Sequence, residues 1–537
     1  MRVAIVGAGA SGLQCAHSLL SSKAITPEQL TILEARDRIG GRVHTHEGYD
    51  LGAAWVHGTG ADWGRRHNNH KNDYYHNNPM MKLLQKTTPV GALADQHHLR
   101  CVCNGNPWMR PQSVLHQASQ IQLYQNGDPI DPADPVIPAS LREHYTRLEQ
   151  VTKYGNQLYA QGRGLETAHV SLQEALHQEG GPIQHSLTLF YQHLLECWYG
   201  AAASELQLCE FIDEQKDEDE EEHRGDGDDD HYQWDATYSP EGDFYGPHCT
   251  LQRGMISVLE PLLCDGVQER VRLEEPVIRL SHTENDTILL ETQRGSLFEA
   301  DCCVLTMPAG CLRDALQQGN FFTTPLSLEK QEAIEFLQMG TYKKVMMTFD
   351  HIFWPTEPAF LGMVRSLEAS ERSKNLGPSL LLDNLWASQG KPCIEAVLFG
   401  HDGTWATGKS DEVIRDAVLD FMEEAMGKSD LRSHCIDCHI TRWEEDPYSR
   451  GAYSSMKLGC LLRHAEELRQ PEWNGRLIFS GEATISEFEG SVHAALFSGM
   501  NAKDIVLRLL EREEGATPAK VADQPSNSSD PQILSIA

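Results

Sequence analysis

The chain contains 537 residues, of which 40% are hydrophobic and 23% are charged, and its formal net charge at pH 7 is −33. This length exceeds that of one ordinary hydrophobic core, so at least two domains are predicted in a chain with the composition of a soluble globular protein. The acidic excess excludes a nucleic-acid-binding surface from the expected functions and favours cationic partners. No apolar run is long enough to predict a membrane-spanning helix.

The N-terminal pattern is an apolar run, "MRVAIV", followed by the glycine motif G-A-G-A-S-G, a helical stretch and a second apolar run that ends at Glu34. This order is typical of a Rossmann-like dinucleotide-binding unit. Gly7 allows the tight turn, Gly9 lets the backbone approach a pyrophosphate, and Gly12 lets the helix pack closely on the strand. The helix N-terminus, which includes Ser11, presents unpaired N–H groups to phosphates. Glu34 is expected to accept hydrogen bonds from ribose hydroxyls.

The middle of the chain is predicted to be helical from about residue 75 to 200, as in "ASLREHYTRLEQVTKYGNQLYAQ" and "SLTLFYQHLLECWYG". The acidic run that follows, about 213–230, is predicted to be a disordered loop. Residues 270–308 show short strands separated by turn signals. Strands and a helix alternate over 366–426, and then come a strand and turn, "RLIFSGEAT", a long helix and a disordered tail, 513–537.

Two adjacent lysines, Lys343 and Lys344, open the alternating stretch "TYKKVMMTFDHIFWP". Because successive side chains of a strand point to opposite faces, one lysine is expected to face water and the other to point into the protein. A buried ammonium is costly and tends to lose its proton, so its burial indicates a functional role. The alternative is that both lysines snorkel to the surface from an edge strand.

The chain has 14 cysteines without the spacing of a small disulfide framework, which indicates a reducing compartment. Since the glycine motif begins almost at the N-terminus, no signal peptide is expected, and we predict a cytoplasmic protein with the nucleus as an alternative. Cys435, Cys438 and His439 fit the C-x-x-C-H spacing of haem attachment, yet the same segment alternates like a strand, which we favour.

No metal site is predicted. A polar stretch in the first hundred residues is predicted to be an exposed loop, and adventitious metal binding is its alternative; its histidines are His67, His70 and His76.

The segment after Glu34 reads "ARDRIGGRVHTHEGYDLGAAWVHG", and four further blocks follow it: "EEPVIRLS", "DCCVLTMPAGCL", "TRWEEDPYSRGAYS" and "FSGEATISEFEGSVHAALFSG". Together they resemble the flavin-dependent amine oxidases, which include polyamine and spermine oxidases, monoamine oxidases and lysine-specific histone demethylases. The blocks run from residue 1 to about 510. One departure is Ala452, which stands where the family usually has serine.

The resemblance implies an α/β fold of mixed α+β character. It joins a Rossmann-like FAD-binding domain to an interleaved substrate-binding domain of mixed sheet and helices. The expected FAD-binding segments are 1–75, 250–320 and 440–512, and the expected substrate-binding segments are 76–249 and 321–439.

The resemblance also implies cofactor-binding residues. Arg42 is expected at the pyrophosphate and Arg36 along the ribose and phosphates, since a guanidinium suits phosphate geometry. Gly41 allows close backbone approach. The residues expected along the rest of FAD are Val277 at the adenine, Glu482 at the ribityl chain, and Trp443 and Val492 near the flavin ring. Trp55 is also expected to bind the cofactor, and the alternative for Trp443 is a plain core tryptophan. Because "SEFEGS" offers no cysteine, non-covalent FAD is expected.

The catalytic residues implied by the resemblance begin with Lys344, the third residue of a Y-x-K pattern, which would hold a water against flavin N5. Tyr342 would line the substrate tunnel, and Tyr453 would form one wall of an aromatic sandwich. Ser491 stands where the second aromatic wall is common, which leaves that wall in question. His57 matches the histidine of animal-type spermine and acetylpolyamine oxidases, with a structural histidine as the alternative.

The expected function is a FAD-dependent oxidase of polyamines that transfers a hydride equivalent to flavin and reduces O₂ to H₂O₂. Alternatives are a monoamine or L-amino-acid oxidase and a lysine-specific histone demethylase-like protein. An amino-acid oxidase would need an arginine for the carboxylate, and none obviously flanks Tyr453 or Ser491. The expected partners are a small polyamine and O₂, without nucleic acid or membrane, in a monomer or weak homodimer.

Overall fold

The computed structural model describes residues 1–57, 79–80, 83–84, 99–104, 121–211, 247–251, 253–368, 375–486 and 489–513. The three histidines of the polar stretch, the acidic run and all but the first residue of the predicted tail lie outside the described residues.

Twenty-one strands are formed by the described residues: β1 (Val3–Val6), β2 (Leu30–Leu33), β3 (Thr45–His46), β4 (Tyr49–Asp50), β5 (Leu99–Asn104), β6 (Ile121–Gln125), β7 (Asp128–Pro129), β8 (Pro247–Leu251), β9 (Val271–Arg272), β10 (Val277–His282), β11 (Ile288–Thr292), β12 (Leu297–Ala300), β13 (Cys302–Leu305), β14 (Gln338–Met339), β15 (Tyr342–Phe349), β16 (Phe360–Val364), β17 (Ser379–Asn384), β18 (Cys393–Phe399), β19 (Cys435–Ile440), β20 (Ser454–Ser455) and β21 (Leu477–Phe479).

Twelve α-helices accompany the strands in the same described ranges: α1 (Ala10–Ser21), α2 (Val136–Ala160), α3 (Leu172–Glu179), α4 (Ser186–Tyr199), α5 (Ala309–Gln318), α6 (Leu328–Phe336), α7 (Leu385–Gln389), α8 (Gly400–Ala406), α9 (Asp411–Met426), α10 (Leu431–His434), α11 (Leu462–Arg469) and α12 (Val492–Glu513). Of these described helices, none combines the length and apolar character needed to cross a membrane.

A five-stranded parallel sheet in the order β21-β13-β1-β2-β9 forms the first layer. Its strands are short apolar runs, and β1 and β13 are buried throughout, as expected for a parallel sheet covered on both faces. Helix α1 lies against this sheet and against α12. The two helices approach so closely that a Cβ on Gly499 would lie 2.4 Å from the carbonyl oxygen of Ser11. The predicted Rossmann-like unit is therefore confirmed.

A seven-stranded mixed sheet in the order β19-β15-β18-β17-β16-β6-β7 forms the second large layer. Helix α9 covers one face of this sheet with an apolar cluster. Helices α2 and α4 pack on part of the other face. A three-stranded antiparallel sheet, β10-β11-β12, and short two-stranded pairs complete the architecture. The predicted α/β fold of mixed character is confirmed, whereas the proposed domain boundaries stay a prediction.

The expectation that one of the two adjacent lysines faces water is wrong. The side chain of Lys343 is fully buried, and Lys344 is 5% exposed. Strand β15 lies inside the seven-stranded sheet between β19 and β18, and both of its faces are covered. The alternative of two snorkelling lysines on an edge strand is wrong for the same reason.

The prediction of helix from about 75 to 200 holds only in part. Both quoted segments are helical, as α2 and α4. Strands β5, β6 and β7 interrupt the range. The turn between β6 and β7 is Asn126-Gly127, and both residues have positive φ, of 54° and 92°. That dipeptide is a strong hairpin signal, which the helical interpretation passed over.

The strand interpretation of the C-x-x-C-H segment is confirmed, because it forms β19. A register shift between Asp437 and Cys435 interrupts the alternation of this strand, and Cys435 and Cys438 both pack against the apolar cluster beside α9. The cysteines whose side chains the structure describes are all free thiols.

Candidate active site

A cavity of about 780 Å³ runs from the carboxyl ends of β1 and β2 to one face of the seven-stranded sheet. The sequence-predicted site residues that line it are Gly7, Gly9, Ser11, Glu34, Arg36, Gly41, Arg42, Trp55, His57, Val277, Tyr342, Lys344, Trp443, Tyr453, Glu482, Ser491 and Val492. Gly12 lies behind the lining, within the contact between α1 and β1. Residues from nearly the whole length of the chain thus meet in one place.

The glycine turn after β1 has no room for larger residues at two positions. Gly7 has φ +106°, and a Cβ there would lie 2.3 Å from Oγ1 of Thr306. A Cβ on Gly12 would lie 2.0 Å from the carbonyl oxygen of Gly7. Gly9 differs, because the nearest atom to its Cβ would be the carbonyl oxygen of Gly40 at 3.8 Å. The backbone at Gly9 therefore borders open cavity, as close approach of a pyrophosphate requires.

Glu34 is buried at the end of β2 and is already engaged by the backbone. Its carboxylate accepts hydrogen bonds from the backbone N–H of Ala8 at 2.7 Å and of Arg36 at 2.9 Å. These bonds fix the glycine turn against the second strand. Each carboxylate oxygen retains a further lone pair for a hydroxyl group in the cavity.

The two predicted arginines are held by carboxylates in the cavity wall. Arg36 makes a two-pronged contact with Asp446, at 2.6 and 3.0 Å. Arg42 donates to Glu482 at 2.8 Å and to the carbonyl oxygen of Ala452 at 3.1 Å. Asp446 was missed in the sequence, although it is the aspartate of the "WEEDP" block. The pairing orients both guanidinium groups before any ligand binds.

Glu482 also joins the C-terminal block to the strand that follows Tyr453. It accepts hydrogen bonds from the backbone N–H and the hydroxyl group of Ser454. The hydroxyl of Ser11 is similarly engaged, with Ser480 at 2.7 Å and Ser498 at 3.0 Å. Ser11 thus borders the cavity while its hydroxyl ties α1 to the C-terminal block.

Trp443 and Trp55 occupy different parts of the wall. Trp443 is 8% exposed and donates its indole N–H to the carbonyl oxygen of Leu51 at 3.1 Å. Trp55 stacks against Phe360, with ring centroids 6.1 Å apart and planes inclined by 23°. Val277, the first residue of β10, and Val492, the first of α12, complete the predicted lining.

Lys344 lies at the opposite end of the cavity from the glycine turn, on the face of β15 that it shares with Tyr342. Its ammonium donates to the carbonyl oxygen of Asp50 at 2.7 Å and lies 3.1 Å from Oε1 of Glu395. Asp383 is the direct cross-strand neighbour of Glu395 and lines the cavity. Two carboxyls and one ammonium therefore share one buried patch.

The two carboxyls of this patch cannot both ionise easily. Burial raises the pKa of Asp383 well above its ordinary value, and repulsion from Glu395 adds to the increase. Burial likewise raises the pKa of Glu395, while Lys344 acts in the opposite direction. Sequence reasoning missed both carboxyls, which come from different strands and belong to no local motif.

His57 lines the cavity and is uncharged at neutral pH, because burial lowers the pKa of its imidazole to about 4. Its ring lies 5.9 Å from the ring of His493, at the start of α12. His493 also lines the cavity and was not singled out in the sequence. A neutral imidazole can accept a hydrogen bond from an amine at this position.

The aromatic part of the lining contains Tyr342 and Tyr453, whose ring centroids are 5.9 Å apart. Burial raises the pKa of both phenols well above the ordinary value. The Tyr453 hydroxyl donates to the carbonyl oxygen of Cys197 at 2.9 Å. Gly200 and Gly490 approach one edge of the Tyr453 ring, since a Cβ on either would lie within 2.9 Å of it.

The sequence model of the family described as flavin containing amine oxidoreductase matches residues 10–507. The chain belongs to the flavin-containing amine oxidoreductase family. Membership implies a flavin cofactor and an amine substrate.

Relatives of this flavin amine oxidoreductase carry two kinds of name. This chain is 27% identical over 534 residues to lysine-specific histone demethylase 1 homolog 2 of Oryza sativa subsp. japonica, and the alignment covers 98% of this chain and 59% of the relative. It is 24% identical over 525 residues to polyamine oxidase 4 of the same organism, covering 96% and 90%. It is 27% identical over 535 residues to polyamine oxidase 2 of Arabidopsis thaliana, covering 95% and 89%. It therefore spans less than two thirds of the demethylase homologue.

The residues of this flavin amine oxidoreductase fit such a cofactor. The glycine turn and Glu34 offer a dinucleotide cradle, and the paired arginines border the same space. Gly481, with φ +143°, has nothing within 4 Å of the position that a Cβ would occupy. A side chain there would extend into the cavity that a cofactor needs.

Proposed function

We propose that this flavin amine oxidoreductase oxidises polyamines, with FAD as the bound cofactor and O₂ as the final electron acceptor. A bound FAD supplies the two-electron oxidation of the C–N unit, and the electrons pass to O₂ to give H₂O₂. The resulting imine hydrolyses to an aldehyde and a shorter amine. Relatives named polyamine oxidases, which this chain matches over about nine tenths of their length, support the proposal.

The observation that carries the proposal is the balance of charge along the cavity wall. The arginines among the described lining residues, Arg36 and Arg42, are both bound to carboxylates. Two carboxyls, by contrast, share the single ammonium of Lys344, and one of them, Asp383, borders the same space. Such a wall favours a cationic ligand and gives little support to a carboxylate-binding amino-acid oxidase.

The residues around the reacting nitrogen have separable tasks. The apolar and aromatic wall at Tyr342 and Tyr453 favours the uncharged form of an amine, the form with a lone pair. The neutral imidazole of His57 accepts a hydrogen bond from a substrate N–H. Lys344, fixed by Asp50 and Glu395, holds a water molecule at the reacting end of the cavity. These roles are proposals that follow from the lining positions.

We also propose non-covalent FAD. Two cysteines, Cys197 and Cys311, line the cavity, and burial raises the pKa of Cys311 to about 12 and that of Cys197 further. A buried thiol that stays protonated is a poor nucleophile. Acid precipitation should therefore release the flavin into the supernatant, whereas yellow colour retained in the precipitate would contradict non-covalent binding.

A second candidate is oxidative demethylation of lysine side chains, which the relatives named histone demethylase homologues favour. A methylated lysine amine and a polyamine nitrogen offer the same reacting group. The test is H₂O₂ release from purified yellow protein given spermine, spermidine, their acetylated forms, monoamines, amino acids or methyl-lysine peptides. Polyamines are expected to give the highest kcat/KM. Release from methyl-lysine peptides but not from polyamines would overturn the proposal.

We propose a cytoplasmic location, on the basis of the free thiols described above.

A further inference from the structure

Two carboxyl groups outside the Lys344 patch border the same cavity. Glu210 lies in a short 3₁₀ turn, Leu208–Phe211, and Glu489 lies just before α12. They come from parts of the chain nearly three hundred residues apart and line one cavity, where burial and, after it, the charge of Glu210 raise the pKa of Glu489.

Among the described residues no basic side chain is paired with either carboxyl, whereas two other acids of this region have such a partner. Glu482 is paired with Arg42, and Glu395 with Lys344. Oε1 of Glu489 is buried and has no hydrogen-bond partner among the described residues. Within the described part of the chain, the neutral amide of Gln207 donates to the Glu210 carboxylate at 3.1 Å, and the neutral hydroxyl of Ser454 is a hydrogen-bond partner of Glu489.

Burial is the main cause that raises the pKa of both groups, and the charged neighbours that act on Glu489 are themselves acidic, Glu210 and Glu482. Both residues are half-buried, and a carboxyl withdrawn from water without a cation favours its protonated form or the binding of a cation. An ammonium group supplies both the charge and the hydrogen-bond donors that are missing.

The location within the cavity identifies the source of that ammonium. The same cavity contains Lys344, His57 and the aromatic wall, where an uncharged nitrogen is required. We propose that Glu210 and Glu489 together bind a second, protonated amino group of the substrate while another nitrogen of the same molecule reacts near Lys344. This inference rests on the proposed polyamine oxidation and adds the residues that distinguish a polyamine from a monoamine.

The consequence is that the enzyme selects substrates by the number of their protonated amino groups. A polyamine satisfies both carboxyls and leaves its reacting nitrogen neutral, whereas a monoamine leaves the pair without a cation. Desolvated charge-assisted hydrogen bonds of this kind are worth about one to two orders of magnitude in affinity. The pair is therefore expected to act on KM for polyamines and to leave monoamine kinetics nearly unchanged.

The test uses the FAD-loaded protein and the variants Glu489→Gln, Glu210→Gln and the double variant. Each change removes charge and keeps side-chain size. The matched control is Glu466→Gln, which removes one exposed carboxylate on α11. KM and kcat are measured with spermine and with butylamine, and the flavin absorbance spectrum and melting temperature of each variant without amine check the fold. A roughly 10- to 100-fold rise in the spermine KM of the double variant, with the control unchanged, is expected.

A second readout separates this inference from the proposed function. Spermine is expected to raise the melting temperature of the wild-type protein more than butylamine does, and the double variant should lose this difference. If wild-type protein binds spermine in this way but does not turn it over, polyamine oxidation fails while the binding site stands. If the double variant keeps both the spermine KM and the thermal shift, the inference is wrong.

Discussion

The ammonium of Lys344 lies 3.1 Å from the carboxylate of Glu395, and each side chain is only 6% exposed. The pair spans two neighbouring strands of the seven-stranded sheet on the face that borders the cavity. The same ammonium also donates to the carbonyl oxygen of Asp50, so the pair contributes to stability. Under the proposed function, this ammonium also holds a water molecule at the reacting end of the cavity. Substitutions can separate these two contributions.

Replacing Lys344 with methionine should retain the yellow flavin spectrum and slow flavin reduction or reoxidation by about 100-fold or more. It should also lower the free energy of unfolding by about 3–5 kcal/mol, because Glu395 is left buried without a cation. Stopped-flow kinetics and thermal unfolding measure the two effects. The double variant Lys344→Met/Glu395→Met should recover stability without recovering the rate. Normal rates in the single variant would exclude the assigned role.

Lys343→Met supplies a matched comparison on the same strand. The ammonium of Lys343 points to the opposite face and lies 2.6 Å from Glu444. We expect a loss of stability comparable to that of Lys344→Met, for the same reason, but a flavin reduction rate near that of the wild-type protein. A reduction rate as low as that of Lys344→Met would show that the kinetic effect arises from general loss of structure.

Two glycines of the first turn should respond differently to alanine. In Gly12→Ala the new Cβ would lie 2.0 Å from the carbonyl oxygen of Gly7, so the protein should be destabilised by roughly 1–3 kcal/mol or more. In Gly9→Ala the nearest protein atom lies 3.8 Å away, so the fold should persist while FAD binds more weakly. Thermal unfolding of the apoprotein and titration with FAD distinguish the two. Unchanged FAD affinity in Gly9→Ala would contradict the predicted phosphate contact.

The imidazole of His57 should make stability depend on pH. Its pKa is about 4 in the folded protein and 6.5 ordinarily, so between these values the unfolded chain binds more protons. Stability contributed by this group is therefore lost as pH falls from 6.5 towards 4 and is present above that range. His57→Gln should flatten the pH dependence of the melting temperature over this window. An unchanged slope would contradict the burial of a neutral imidazole.

The first strand, helix and glycine turn could be predicted from the sequence because their determinants are local. Gly7, Gly9 and Gly12 set the turn, and Glu34 ends the next strand of the same unit. The quoted blocks likewise pointed to residues that the fold gathers around one cavity, although their roles in binding and catalysis stay predictions.

Burial of Lys343 could not be predicted, because it depends on which strands flank β15 and on helix α9 covering its second face. Pairing information of that kind is not present in an alternating pattern. The carboxyls of Asp383, Glu210 and Glu489 were missed for a related reason. Asp383 and Glu210 belong to no quoted block, Glu489 has no assigned role within its block, and only the folded chain brings each of them to the cavity beside other acids.

The most direct test of polyamine oxidation is anaerobic addition of spermine to the purified yellow protein while its flavin absorbance is followed. The account predicts rapid bleaching that Lys344→Met slows strongly, followed by return of the yellow colour and release of H₂O₂ when O₂ is admitted. A flavin that stays oxidised in the presence of every polyamine, yet bleaches with an amino acid or a methyl-lysine peptide, would contradict it.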